Sequence, residues 1–343
     1  MAALALPSSC LFAQQAPAKS TPEKAEEIPD YVRFVPDPAD ERRGELQTGI
    51  STFKHPDGYE IDLVGVVHFG DPGYYDRLNT LLASYDSVLY EMVGGPVGKN
   101  GKPTADRVDP ITGETEPEPE ATQDDEVMSA LKGALKAATL DRLRLEYQKT
   151  GIDYTPENFV HADVTWKQFT SLKSERGEDM LGFVMRILQA QKGDNMPKFF
   201  GPEGRANVLM EQAMAALTEG DSLGLKRAMA DVLGEADLLT EAIEGEKGSV
   251  IIGERNAVAL KVALDQIARG KRRVAIFYGA AHMADFEERL VAAGFQKKRL
   301  RYETAWDLAD DPDEPAGQVD LVKDVLLDED FVLSVLRRMK ASM

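Results

Sequence analysis

Two segments far apart in the chain share one shape. Gly65-Val66-Val67-His68 closes an apolar run that starts near Ile61, and Gly279-Ala280-Ala281-His282 closes the run Val274-Ala275-Ile276-Phe277-Tyr278. Apolar runs this short, each followed by a helical pattern, read as strands buried on both faces, as in parallel sheets. Parallel strands need long crossovers, usually helical, so these two runs confine the chain to α/β architectures. Asp71-Pro72 opens the helix after the first run, with Asp71 placed as N-cap and Pro72 at the first helical position. Leu78, Leu81 and Leu82 continue that helix, and Ser87-Val88-Leu89-Tyr90-Glu91-Met92 is the next strand. Residues 61–92 therefore form a βαβ unit with parallel strands.

The remainder fits around this unit. Residues 46–53 alternate as a strand, His55-Pro56-Asp57-Gly58 is a turn, and 60–67 returns, which is a hairpin signal. Helices are expected over 253–268 and 285–293, and 297–306 alternates as an edge strand. Between the two α/β parts, helices are expected over 125–147, 180–191, 206–217 and within 221–245, and Thr165-Trp166-Lys167-Gln168 fits a capping box. The expected fold is a mixed, mainly parallel central sheet with flanking helices and a helical insertion. At 343 residues the chain can bury a substantial core, as one large domain with insertions or as two domains. Residues 1–40 read as leader and linker, 41–310 as the α/β domain, and 311–343 as a helical tail. Within the domain, 126–247 reads as the helical insertion. The Pro- and Glu-rich stretch 93–125 reads as a solvated acidic loop, with a lid or a metal-collecting loop as the alternatives.

Charge narrows the function. Lys and Arg total 40 against 59 Asp and Glu, a formal charge of −19. Nucleic-acid binding and docking on anionic lipid both need clustered cations, so neither is expected; cation binding stays open. No apolar run reaches the roughly 18 residues of a membrane helix, so no integral membrane segment is expected. Cys10 is the only cysteine and lies in the leader, so a processed chain would have no thiol for a disulfide, a thiolate metal site or a nucleophile. Leu11-Phe12-Ala13-Gln14 after a short apolar stretch offers a signal-peptidase site behind Ala13, and export to the periplasm or the exterior is expected. The positive n-region is missing, so a cytosolic chain with an apolar tail is the alternative.

The four histidines are His55, His68, His161 and His282. Open α/β sheets bind ligands at the carboxyl ends of their strands, where both Gly-x-x-His segments end. Glu91 closes the strand one βα unit after His68 and so points from the same edge. Two imidazoles and a carboxylate could hold a divalent metal with open positions, or serve as a base and its orienter. The plain alternative is two turn histidines bonded to backbone carbonyls. Arg255, in Glu254-Arg255-Asn256 at a helix start, could orient Glu91 or bind a substrate carboxylate or oxyanion, with Glu254 a further ligand; otherwise both are surface charges at a helix terminus. His161 could bring a third imidazole with Asp163 as partner, or be structural with Asp163 as a cap. Tyr74 and Tyr278 are donors into the cleft or core residues, and His55 is a surface turn residue. No Gly-rich phosphate loop or serine elbow is present.

Four segments also carry a likeness: Val64-Gly65-Val66-Val67-His68-Phe69-Gly70-Asp71, Val88-Leu89-Tyr90-Glu91, Gly253-Glu254-Arg255-Asn256 and Tyr278-Gly279-Ala280-Ala281-His282-Met283. In these, over about 46–306, the chain resembles the TraB/PrgY/GumN family, related to the TIKI proteases and more distantly to ChaN-like and erythromycin-esterase-like proteins. The resemblance implies a cleft between two halves joined by helices, with His68, Glu91 and His282 as its functional core. Together with the leader, it points to an exported metal-dependent hydrolase, foremost a peptidase, acting on a peptide or small molecule. His68, Glu91 and His282 would hold Mn, Co or Zn, with Glu91 and Arg255 as catalytic residues. Two alternatives are carried with it: a metal-free esterase-like hydrolase with a His general base, and a non-catalytic module that binds a peptide signal. Oligomeric state is open.

Overall fold

The computed structural model describes residues 31–96, 107–108, 110, 115–116, 143–176, 205–234 and 250–309. The leader with Cys10, most of the acidic loop, the helices expected over 180–191 and in the tail, and most of the one expected over 125–147 lie outside the described residues. In chain order the elements are β1 (Val32–Asp37), β2 (Asp40–Lys54), β3 (Glu60–Val66), β4 (Phe69–Gly70), α1 (Pro72–Leu82), β5 (Ser87–Tyr90), β6 (Arg107–Val108), β7 (Thr115–Glu116) and β8 (Glu146–Tyr147). There follow α2 (Gln148–Gly151), β9 (Phe159–His161), α3 (Trp166–Arg176), α4 (Arg205–Glu219), α5 (Ser222–Gly234), a π-helical turn (Val250–Glu254), α6 (Arg255–Ala268), β10 (Arg273–Gly279), a 3₁₀ turn (Ala280–His282), α7 (Met283–Ala292) and β11 (Gln296–Asp307).

The fold is mixed α/β. Four parallel strands, in the order β3-β10-β5-β9, form the centre of the sheet; β2 joins β3 antiparallel and pairs in turn with β1 and β11. The central strands are apolar on both faces, and Leu63, Val64, Val88, Leu89, Ile276 and Phe277 are fully buried. Each such side chain contributes roughly 1.5–3 kcal/mol by leaving water. Helix α6 packs on β10 and β5, and α7 on β3 and β11. The 46–53/60–67 hairpin is present, turning at Gly58 with φ +88°. Among the described residues no helix is long and apolar enough to cross a membrane.

Several expectations need correction. Residues 32–37, within the stretch read as leader and linker, form β1 and pair with β2. β3 and β5 of the βαβ unit run parallel as expected, and β10 lies between them. That insertion places the strand leading to His282 between the strands leading to His68 and Glu91. The block read as helical supplies β9, which extends the main sheet, and β8, which pairs with β4. The helix expected to run through Tyr147 has ended by Arg144, which turns the chain at φ +53° into β8. Asp71 stands at the N-cap of α1 without capping it. Its carboxylate instead accepts from Lys226 Nζ at 2.9 Å and from the Asp307 N–H at 2.6 Å, tying α1 to α5 and the end of β11.

The capping box before α3 is formed. The Gln168 N–H donates to Thr165 Oγ1 at 3.2 Å, and the Thr165 N–H donates to Gln168 Oε1 at 2.9 Å. Thr165→Ala should cost about 1 kcal/mol. Thermal unfolding should show a lower Tm for Thr165→Ala and a near wild-type one for Thr165→Ser.

Candidate functional site

Because β3, β10, β5 and β9 run parallel, their carboxyl ends meet along one sheet edge. The register pairs Val66 with Gly279, Phe277 with Tyr90 and Tyr90 with His161. His68 follows β3 by two residues, Glu91 directly follows β5, Gly279 closes β10 ahead of His282, and Asp163 follows β9 by two.

Glu91 is held from two sides. Its Oε1 accepts from an Arg255 terminal nitrogen at 2.6 Å, and its Oε2 from the Gly279 N–H at 2.7 Å. A Cβ on Gly279 would stand 3.3 Å from Oε2, so the glycine allows the backbone its close approach to the carboxylate. Its φ of −50° is open to any residue, so the backbone conformation at the end of β10 does not itself require glycine. Gly65 likewise lies within β3, where a Cβ would meet the Gly49 carbonyl at 3.0 Å. Burial would push the Glu91 carboxyl upward, but the Arg255 guanidinium, then the His282 and His68 imidazoles and the Gly279 N–H, hold it well below the usual carboxylate range.

Arg255 is 7% exposed and clamps two carboxylates. Its Nε donates to Asp163 Oδ1 at 2.9 Å, and the terminal nitrogen that reaches Glu91 also donates to Asp163 Oδ2 at 2.7 Å. Burial opposes its charge, yet Glu91 and Asp163 raise its pKa above the ordinary guanidinium value. One guanidinium against two carboxylates leaves the cluster net negative. Of the two uses considered for Arg255, the geometry is that of orienting Glu91.

His282 is 5% exposed, with its Nδ1 2.6 Å from Asn256 Oδ1. The Asn256 amide nitrogen donates to the His282 carbonyl at 3.0 Å and to Asp285 Oδ2 at 2.7 Å. With both amide hydrogens directed at acceptors, Oδ1 must accept, so Nδ1 carries the imidazole hydrogen and Nε2 keeps a lone pair. That Nε2 lies 3.8 Å from Glu91 Oε1. Burial lowers the His282 pKa to about 4, against the opposing pull of Glu91, so the ring is neutral at neutral pH.

His68 is exposed and set in a similar way. Its Nδ1 is 2.9 Å from Gln148 Oε1, while the Gln148 amide nitrogen reaches the Tyr154 hydroxyl at 3.2 Å. With that oxygen on Nδ1, His68 also presents an Nε2 lone pair. The Gln148 N–H donates to the His68 carbonyl at 2.8 Å, so one residue fixes both backbone and ring.

The remaining candidates are placed otherwise. His161 has its Nε2 2.7 Å from the Met92 carbonyl and its ring edge against Tyr90, which is a structural role. Asp163 is fully buried as the anchor of Arg255, and Thr165 is the cap. Tyr278 is a core residue whose hydroxyl donates to the Ala162 carbonyl at 2.5 Å, and Tyr74 is buried beside Thr48. His55 stacks on Tyr59, with ring centroids 4.5 Å apart, remote from the cluster in the β2–β3 turn. Glu254 closes the π-helical turn ahead of α6. Asn256, Gln148 and Gly279 are site residues that the sequence reading did not single out for these roles.

Two imidazole lone pairs and an ionised carboxylate are a donor set suited to a divalent transition metal, and each imidazole has the outer hydrogen bond that metal-ligating histidines use. Among the described residues, however, no group of three His, Cys, Asp or Glu side chains stands close enough together to hold an ion as placed. No family model, curated protein or solved structure matches the chain.

Proposed function

We propose that the chain is a hydrolase, foremost a metal-dependent peptidase, built on His68, Glu91 and His282. The observation that supports it most is the pairing of His282 Nε2 with Glu91 Oε1 across 3.8 Å. Both atoms are acceptors at neutral pH, so the pair can receive a cation or a hydrogen-bearing molecule beside the bond that Oε1 accepts from Arg255. His68, Glu91 and His282 would hold the ion, and Mn, Co or Zn suits their nitrogens and carboxylate oxygen. When bound, such an ion polarises a carbonyl and makes a nucleophile of water at neutral pH. The chain's own contribution is orientation: Asn256 and Gln148 hold the imidazoles, and Arg255 with the Gly279 N–H holds Glu91. The fold of the TIKI and erythromycin-esterase type, with membership in the TraB/PrgY/GumN family, is part of the same proposal and rests on the segments quoted above.

One observation favours a metal-free variant, in which His68 Nε2 takes a proton from water as general base. Both oxygens of Glu91 already hold strong donors. Elemental analysis after incubation with Mn, Co and Zn separates the two. Near-stoichiometric metal, lost in the His68→Ala/His282→Ala double variant, together with peptide hydrolysis abolished by chelation, is the expected result. Chelator-insensitive hydrolysis that still fails in His68→Ala would move the assignment to the metal-free form. Peptide binding without any product would replace the hydrolase by a binding module.

A further inference from the structure

Residues 146–155 are tied down beside the cluster. β8 pairs with β4, Gln148 holds His68, and Asn79 donates to the Gly151 carbonyl at 2.8 Å while accepting from the Asp153 N–H at 3.0 Å. Gly151 sits so close to Tyr75 that a Cβ would stand 2.5 Å from its ring, so the turn is pressed onto α1. Lys149 rides on this turn, next to the residue that orients His68. It is half-buried, lies within electrostatic reach of Glu91, and burial lowers its pKa against that pull. Among the described residues its ammonium forms no hydrogen bond or ion pair. Glu91 does not need it as a partner, since both carboxylate oxygens are already engaged. A half-buried ammonium on an anchored turn gains most from a ligand that brings a negative charge.

We infer that Lys149 is the anion-recognition group of this site and that the substrate carries a carboxylate, which Lys149 binds beside the reacting group. The inference rests on the reading of the cluster as a substrate site and names the substrate class it takes. A peptide's terminal carboxylate and an acidic side chain present the same chemistry. Lysine is suited to the role as a flexible point charge that can follow a carboxylate by a bond rotation.

The test needs no turnover. The protein is reductively methylated with ¹³C-formaldehyde, and the Lys149 signal is assigned by its absence in Lys149→Met. N-acetylglycine, N-acetylglutamate amide and the neutral N-acetylglycinamide are then titrated into the chelated protein. The two carboxylates should shift the Lys149 signal and the neutral amide should not. The tighter of the two acids identifies which carboxylate source the site takes. By calorimetry on unmethylated protein, Lys149→Met should weaken binding of that acid about tenfold or more, while Lys149→Arg retains most of it. Equal binding of acid and neutral amide, or unchanged acid binding in Lys149→Met at an unchanged Tm, overturns the inference. Selective acid binding in a protein that hydrolyses nothing would keep the inference and defeat the hydrolase reading. Hydrolysis of C-terminally amidated peptides without acidic side chains as readily as of their carboxylate-bearing counterparts would do the reverse.

Discussion

Arg255→Met should destabilise the fold by about 3–5 kcal/mol, the usual loss when one partner of a buried ion pair is removed. The guanidinium is nearly enclosed and donates to Glu91 at 2.6 Å and to Asp163 at 2.9 and 2.7 Å. Without it, two carboxylates remain in one buried cluster with no cation between them, and Asp163 has no exposure to water. Arg255→Lys should recover only part of the loss, because one ammonium cannot reproduce a fork that spans two carboxylates. Adding Asp163→Asn to Arg255→Met removes one of the stranded charges, so the double variant should be more stable than additivity predicts. Urea denaturation of wild type, Arg255→Met, Arg255→Lys, Asp163→Asn and the double variant reads this directly. A cost below about 1 kcal/mol for Arg255→Met would mean that water reaches the cluster and that Glu91 is not fixed by this clamp. Loss of the clamp should also depress any hydrolysis, since Arg255 sets where the Glu91 carboxylate stands.

That the segments carrying His68, Glu91 and His282 end along one sheet edge was legible, because parallel strands deliver their carboxyl ends there and apolar runs that stop at a polar residue mark those ends; of the three, the structure brings Glu91 and His282 to 3.8 Å. The order of the strands was not legible. Nothing in Val274-Ala275-Ile276-Phe277-Tyr278 says that it enters between two strands that are consecutive in the chain; tertiary pairing decides that. β9 was missed because Phe159–His161 is too short to show a period. Asp163 looked like a cap because it precedes Thr165 and α3, and its true partner Arg255 is 92 residues away. Asn256 and Gln148 were missed as supports because a neutral amide carries no pattern of its own. For Asn256 there was one usable signal, its place directly after Arg255 at a helix start facing the strand end that carries His282. For Gln148 there was none. Gly279 was read only as the head of a Gly-x-x-His segment. Its service is to let a peptide N–H meet Glu91, a contact that spacing alone does not reveal.

Stability should fall with acid earlier than carboxylate titration alone would bring. An imidazole that titrates near 6.5 when unfolded and at about 4 in the fold binds its proton more readily in the unfolded chain. Between these two values unfolding takes up a proton, so lowering the pH favours the unfolded state. The stabilisation that His282 gives by staying neutral is complete above about pH 6.5 and is lost as pH falls toward 4; the difference is about 3 kcal/mol. Glu91 has the same sign in a lower window. Its folded pKa lies below the unfolded value of 4.5, so its contribution is present above that value and lost beneath it. The two losses follow one another and should merge into a single steep acid limb. Urea midpoints of chelated protein at pH 7.5, 5.5 and 4.5 measure the upper part of it. His282→Gln keeps a neutral polar side chain but cannot titrate, so it should start less stable at pH 7.5 and decline more gently to pH 4.5. The difference between the two curves isolates His282, because the other three histidines are common to both. Parallel curves would mean that the ring is hydrated in the fold and that its Nε2 is not a standing lone pair. Repeating the series with the best-binding divalent ion separates the readings of the site further. A proton and an ion compete for that lone pair, so a ligating His282 makes added metal steepen the wild-type limb and leaves the variant unchanged.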